Sequence, residues 1–189
     1  VLSFYGNKFV TSAQGAMFLS SNKAILEKAK RFKNHGRLSK GTFFHEEIGF
    51  NFCTSDLHSS LGYAQIQRFE EIRLRKLEIF ERYRRNLSQL SEVIMDEIKS
   101  ERPAYWFISI FCRSAEKLEK NLAEKGIQTR RCFPPLSLQP CYKKTTEIVF
   151  CDDPNSRDIF DKYLSLPSKA TLTNDEIDWI SEELISLIN

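Results

Sequence analysis

Hydrophobic positions fall into short extended runs near both ends of the chain and into helical spacing through its middle. Residues 1–5 and 16–20 are apolar, β-prone runs on either side of Gly6-Asn7. Both turn residues tolerate positive φ, so the pattern predicts a hairpin-like element whose turn presents Lys8. Ser20, Ser21 and Asn22 form an N-cap cluster. A helix over residues 24–34 is expected to follow, with Ile25, Leu26, Ala29 and Phe32 on one face, lysines opposite, and Gly36 beyond its end. Residues 37–50 read as loop. From Ser55 or Thr54 as N-cap, apolar positions from Leu57 through Phe69 to Leu87 keep helical spacing. The expectation is one continuous helix over residues 56–85, about 45 Å long at the usual rise per residue. Residues 87–98 read as a second helix, closed off by Pro103.

At Ala104 the pattern changes. Residues 105–112 are a strongly β-prone run. Ser114 caps a helix through Leu118, Leu122 and Ala123 that Gly126 ends, and residues 127–133 form another strand. Strand, helix and strand with short links predict an α+β or βαβ unit. Residues 134–140 read as irregular and 143–154 as polar loop. A helix over 157–164, capped at Asn155-Ser156, leads into a short extended piece at 164–167. The last helix opens on a capping box, Thr173 with Glu176 three residues on, and buries Ile177, Ile180, Leu184 and Leu187.

Charge narrows the possible partners. The chain has 189 residues, with 28 basic and 25 acidic side chains for a net charge of +3. Residues 68–85 are basic enough to suggest a nucleic-acid-binding helix, but Glu71-Arg75, Glu78-Arg82 and Glu81-Arg85 interleave acid and base, as on a solvated, ion-paired face. The expectation is no nucleic acid and, with no apolar run near 20 residues, no membrane span. The start shows no signal-peptide pattern. Five cysteines without a Cys-x-x-Cys pair argue against zinc and a disulfide framework, and point to a reducing cytoplasm. His45 beside Glu46 and Glu47 has no second histidine at ligand spacing and reads as a solvated loop. The chain opens on Val1 inside a strand-like run, as a piece of a longer protein would.

The candidate chemistry lies at the first turn. A lone lysine there is ordinarily solvated. An amine taken out of water gives up its proton more readily and can attack a carbonyl to form a Schiff base. The surrounding residues sharpen this choice. Ser3-Phe4-Tyr5-Gly6-Asn7-Lys8, then Thr11 and Ala13-Gln14-Gly15-Ala16-Met17, resemble the lysine signature of the DegT/DnrJ/EryC1/StrS family of sugar aminotransferases, in its perosamine-synthase-like branch. Asn34-His35-Gly36, Gly49-Phe50-Asn51-Phe52, Leu57 to Gln65, Lys125-Gly126-Ile127, Phe133 to Pro140, and Leu164 to Pro167 resemble further family segments in order.

The resemblance implies the C-terminal part of a fold-type I aminotransferase that uses pyridoxal 5′-phosphate (PLP). Residues 1–55 would be the tail of the large cofactor-binding domain, 56–100 the linking helices, and 101–189 a small α/β domain. Lys8 would bear the cofactor covalently and act as the catalytic base. Ser3 would contact the cofactor phosphate, and Asn51 would reach the phosphate of a partner subunit. The implied reaction moves an amino group from glutamate to a 4-keto-6-deoxy nucleotide sugar, within a homodimer or with a chain supplying the missing half.

Several positions depart from the family pattern. The usual Gly-Glu-Gly-Gly is Ala13-Gln14-Gly15-Ala16, Cys53 stands where many members have arginine, and Ser137 replaces a common histidine. The family's N-terminal half, which supplies the phosphate cradle and the aspartate opposite the pyridine nitrogen, has no counterpart here. A non-catalytic relic or assembly module of the family is therefore the alternative reading.

Overall fold

The computed structural model describes residues 1–37, 39, 41–143 and 153–188, so most of the polar loop expected at 143–154 lies outside the described residues. The chain divides into two units, Val1–Glu71 and Ile72–Asn189.

In the first unit, β1 (Leu2–Ser3) pairs antiparallel with β2 (Ala16–Met17), with Leu2 opposite Met17 and Ser3 opposite Ala16. The expected hairpin forms, but each strand is two residues long, and residues 4–15 between them make a wide loop. Helix α1 (Lys23–Lys33) is capped by Asn22, whose side chain accepts from the Ala24 and Ile25 amides at 2.9 and 3.3 Å. The predicted continuous helix is two: α2 (Asp56–Gln67) and α3 (Phe69–Asn86). Arg68 breaks the ladder by turning its N–H back to the Gln65 carbonyl at 3.1 Å, a tighter i→i−3 bond that ends α2. Ser55 precedes α2 without capping it; its hydroxyl pairs with His58 Nδ1 at 2.7 Å.

The second unit is built on a four-stranded sheet ordered β3 (Ile94–Met95), β4 (Ile108–Phe111), β6 (Tyr163–Leu166), β5 (Arg130–Arg131), with every neighbouring pair antiparallel. β4 and β5 flank β6, so the predicted strand–helix–strand segment, through α4 (Ala115–Glu124), is a split unit with a later strand between its two ends. β6 begins at Tyr163, so α6 (Pro154–Lys162) ends earlier than expected, and it starts on an Asp153 cap. Between β5 and α6, a 3₁₀ turn (Leu136–Leu138) and the short helix α5 (Pro140–Lys143) occupy and extend past the stretch read as irregular.

The second helix expected over residues 87–98 does not form. Leu87 and Leu90 are buried in turns, and Ile94 and Met95 pair with Phe111 and Ile110. β-branched residues beside an available strand gain more from the ladder than from a helix.

One sheet face packs Ile108, Ile110, Leu164 and Leu166 into a core with Ile79, Phe80 and Tyr83 of α3, Leu118 and Leu122 of α4, and Ile177 and Leu184 of α7 (Asn174–Ile188). Each such side chain contributes roughly 1.5–3 kcal/mol on burial. The capping box of α7 is realised on both sides: Thr173 N donates to Glu176 Oε2 at 2.7 Å and Glu176 N to Thr173 Oγ1 at 3.2 Å.

The charged face of α3 differs from its expected pattern. Pairs formed along the helix include i,i+3 Arg75–Glu78 at 2.9 Å and Glu81–Arg84, while Arg82 and Asn86 reach Asp178 of α7. Arg73 and Lys76 are buried, on the side that carries Phe80 and Tyr83. Lys76 Nζ donates to the Trp106 carbonyl at 3.0 Å and to Ser168 Oγ at 3.4 Å, and burial pushes its amine down to about 8. Arg73 donates to the Pro103 carbonyl at 3.3 Å. Their spacing with Phe80 and Tyr83 was the available sign that two cations belonged to the inner face.

Candidate active site

The lysine turn is held from both ends. Lys8 N donates to the Tyr5 carbonyl at 2.9 Å, which closes a turn over residues 5–8. Ser12 N donates to the Phe4 carbonyl at 2.9 Å, and Phe4 N to the Gly15 carbonyl at 2.9 Å, so the loop is laced across its base. Thr11 reinforces it: its hydroxyl donates to the Phe4 carbonyl at 3.2 Å and accepts from Ala13 N at 2.9 Å. Phe9 packs on Phe69 with ring centres 5.4 Å apart. Lys8 is half-buried, and Ser3, on β1, is exposed with its hydroxyl accepting from Tyr5 N at 3.4 Å.

Gly6 and Asn7 do not use the left-handed region that the turn was expected to need. Ala13 at φ +64° and Gly15 at φ +117° do. Ser12, just before them, is buried, and its hydroxyl donates to the Gln14 carbonyl at 2.6 Å. The loop approaches α2 so closely that a Cβ on Gly62 would stand 3.1 Å from Ser12 Cβ.

Asn51 is placed by a second device. Phe50 N donates to the Phe32 carbonyl at 2.7 Å, His35 N to the Phe50 carbonyl at 3.0 Å, and Phe52 N to the Lys33 carbonyl at 2.9 Å. These bonds lay residues 50–52 antiparallel against the end of α1. Two glycines cross where the intervening loop returns. A Cβ on Gly36, at φ +70°, would meet the Glu47 carbonyl oxygen at 1.8 Å, and one on Gly49 would meet Gly36 N at 2.2 Å. His45, considered above as a metal candidate, hydrogen-bonds the His35 carbonyl at 2.7 Å within this loop. Cys53 is exposed, with its thiol directed to the Lys33 carbonyl at 3.4 Å.

Asn51 opens into a groove of about 1010 Å³ that is also lined by Ser12, Gln14, Lys33, Cys53 and His58. Lys8 and Ser3 are not among its lining residues. The structure thus places Lys8 and Ser3 on one turn-and-strand element and Asn51 on a separate one. Gly62 on α2 is the mark in the sequence of the close approach to Ser12.

A hairpin-borne lysine, a connecting helix pair and a split antiparallel α/β unit are the parts of the C-terminal half of a fold-type I aminotransferase. Residues 1–185 match the DegT/DnrJ/EryC1/StrS aminotransferase family, and the chain belongs to that family. It is similar to GDP-perosamine synthase of Escherichia coli O157:H7, 30% identical over 185 residues that cover 96% of this chain and 50% of that protein. The solved structure of Helicobacter pylori PseC, an aminotransferase involved in the biosynthesis of pseudoaminic acid, overlays with a TM-score of 0.87 at 20% identity, over 98% of this chain and 52% of that one. The aminotransferase TlmJ from Streptoalloteichus hindustanus gives 0.88 at 21% identity, over 99% and 52%. The chain spans about half the length of the curated relatives it matches.

Proposed function

We propose that this chain is the lysine-bearing half of a PLP-dependent aminotransferase acting on a 4-keto-6-deoxy nucleotide sugar, with glutamate as amino donor, in the cytoplasmic synthesis of surface polysaccharide such as O-antigen. The observation that carries this reading is the laced turn that holds Lys8 half-buried with Ser3 on the adjoining strand. These residues fit one side of the cofactor. Lys8 supplies the amine that bonds to its aldehyde, and the exposed Ser3 hydroxyl can donate to its phosphate. When bound, the cofactor supplies the electron sink for the carbanion formed next to nitrogen. The freed Lys8 amine is then the base that moves the proton at that carbon. Asn51 serves a phosphate at the edge of its groove. In domain terms, residues 1–55 are the tail of the large domain and 101–189 the small one.

A partner is part of the proposal. Among the described residues of the first unit, only Ser12, Gly36 and Gly62 are buried, while Phe43, Phe44 and Ile48 are each more than three-quarters exposed. A unit that buries no large apolar side chain by itself draws its core from elsewhere. The complementary half of the fold and a second subunit are the occupants proposed. Titrating PLP into the chain and into Lys8→Ala tests the reading by absorbance. A band at the edge of the visible that glutamate discharges and Lys8→Ala lacks is expected; identical spectra would contradict it.

One observation favours a second reading, a non-catalytic relic. Ala13 occupies a left-handed position where the family carries glycine, so the loop holds a strained residue at the rim of the site. A Lys8→Ala chain indistinguishable from the parent in PLP binding would favour it.

A further inference from the structure

The sheet of the second unit has one face in the core and an opposite face with a different chemistry. Along one cross-strand row, Ser109 of β4 stands opposite Ser165 of β6, and Ser165 opposite Arg130 of β5. Both serines are more than nine-tenths buried, and their hydroxyls bond each other at 2.9 Å. Phe107 stands immediately before β4, in the bend that leads into it. The Arg130 guanidinium carbon is 5.2 Å from the Phe107 ring centre and 4.5 Å from that of Phe133.

Arg130 differs from its neighbours in how its charge is met. Arg131 donates to the Phe160 carbonyl at 2.7 Å and lies within 3.9 Å of Glu116 and 3.8 Å of Asp161. Arg130 is exposed and, among the described residues, meets two aromatic faces and no carboxylate. The rings fix its plane and leave its N–H fork unspent. A planar fork of this kind matches the oxygens of a phosphoryl group. Phe133, 59% exposed, has a ring surface of the kind on which a nucleobase stacks.

We infer that Arg130 is a binding residue for a nucleoside diphosphate, taking its phosphoryl oxygens while Phe133 carries the base, on the polar row of this sheet face. The inference rests on the nucleotide-sugar reading above and assigns its nucleotide to the second unit. No covalent step is involved.

Calorimetric titration of the chain with GDP, guanosine and inorganic pyrophosphate tests it. GDP is expected to bind, with guanosine and pyrophosphate each at least tenfold weaker. Arg130→Gln is expected to weaken GDP at least tenfold without lowering the melting temperature, and Arg130→Lys, which keeps the charge but loses the fork, to recover only part of the loss. Phe133→Ala is expected to weaken GDP and leave pyrophosphate unchanged. Equal binding of GDP and pyrophosphate would make a free phosphate the ligand and overturn the nucleotide. No GDP binding, or parental binding by Arg130→Gln, would overturn the site. A chain that retains PLP on Lys8 yet fails to bind GDP overturns this inference alone. One that binds GDP through Arg130 yet never retains PLP overturns only the transamination reading.

Discussion

Ala13 carries the clearest strain in the lysine loop. An L-residue with a Cβ costs roughly 1–2 kcal/mol in the left-handed region, and glycine does not. Ala13, at φ +64°, pays part of that cost. Ala13→Gly is therefore expected to stabilise the chain by about 1 kcal/mol, less what the unfolded chain gains in freedom. The denaturation midpoint in urea, at unchanged slope, measures it; a loss of stability would contradict the strain. Lys76 gives a second residue-scale prediction. Its amine falls from 10.5 in the unfolded chain to about 8 in the fold because burial disfavours the charge. Below pH 8 both states are protonated and the fold bears the whole desolvation cost. Between pH 8 and 10.5 the unfolded chain binds more protons, so the Lys76 contribution raises stability with pH, by at most about 3 kcal/mol. Lys76→Met should be more stable than the parent near pH 7 and should lose this rise. Chemical denaturation at several pH values reads both effects, and a parental rise in the variant would contradict the assignment.

At the scale of elements, the crossing of Gly36 and Gly49 decides whether residues 50–52 lie against α1. Gly36→Ala would drive a Cβ into the Glu47 carbonyl in a backbone conformation that alanine resists. The loop is expected to detach, with loss of hydrogen-exchange protection at the His35, Phe50 and Phe52 amides and little change in the second unit. Retained protection at those amides would contradict the crossing. The box at Thr173 is a smaller device: Thr173→Ala should cost about 1 kcal/mol, read from the melting of the chain. These local features were legible because they depend on neighbours in sequence. Asn22, Ser114 and Thr173 announced their helices, and Gly126 marked the end of α4 with φ +78°. The break at Arg68 and the strand at Ile94–Met95 were not legible. No proline or glycine marks the first, and the second exists only because β4, distant in sequence, offers it a ladder. The split order of β4, β6 and β5 was hidden for the same reason, since pairing across some fifty residues leaves no local periodicity.

For the whole molecule, family membership and fold were readable from the order of motifs, and the same motifs showed which family segments the chain does not match. The chain covers half of its curated relatives' length, and its first unit leaves its apolar side chains outside any core of its own. No helix among the described residues is long and apolar enough to cross a membrane. The central claim is that Lys8 is the cofactor-bearing lysine. Incubating the chain with PLP, reducing it with borohydride and mapping the modified peptide by mass tests it most directly. Selective modification of Lys8, abolished in Lys8→Ala, is the expected result. Label spread over the surface lysines of α1 and α4, with Lys8 no more reactive than they are, would contradict it.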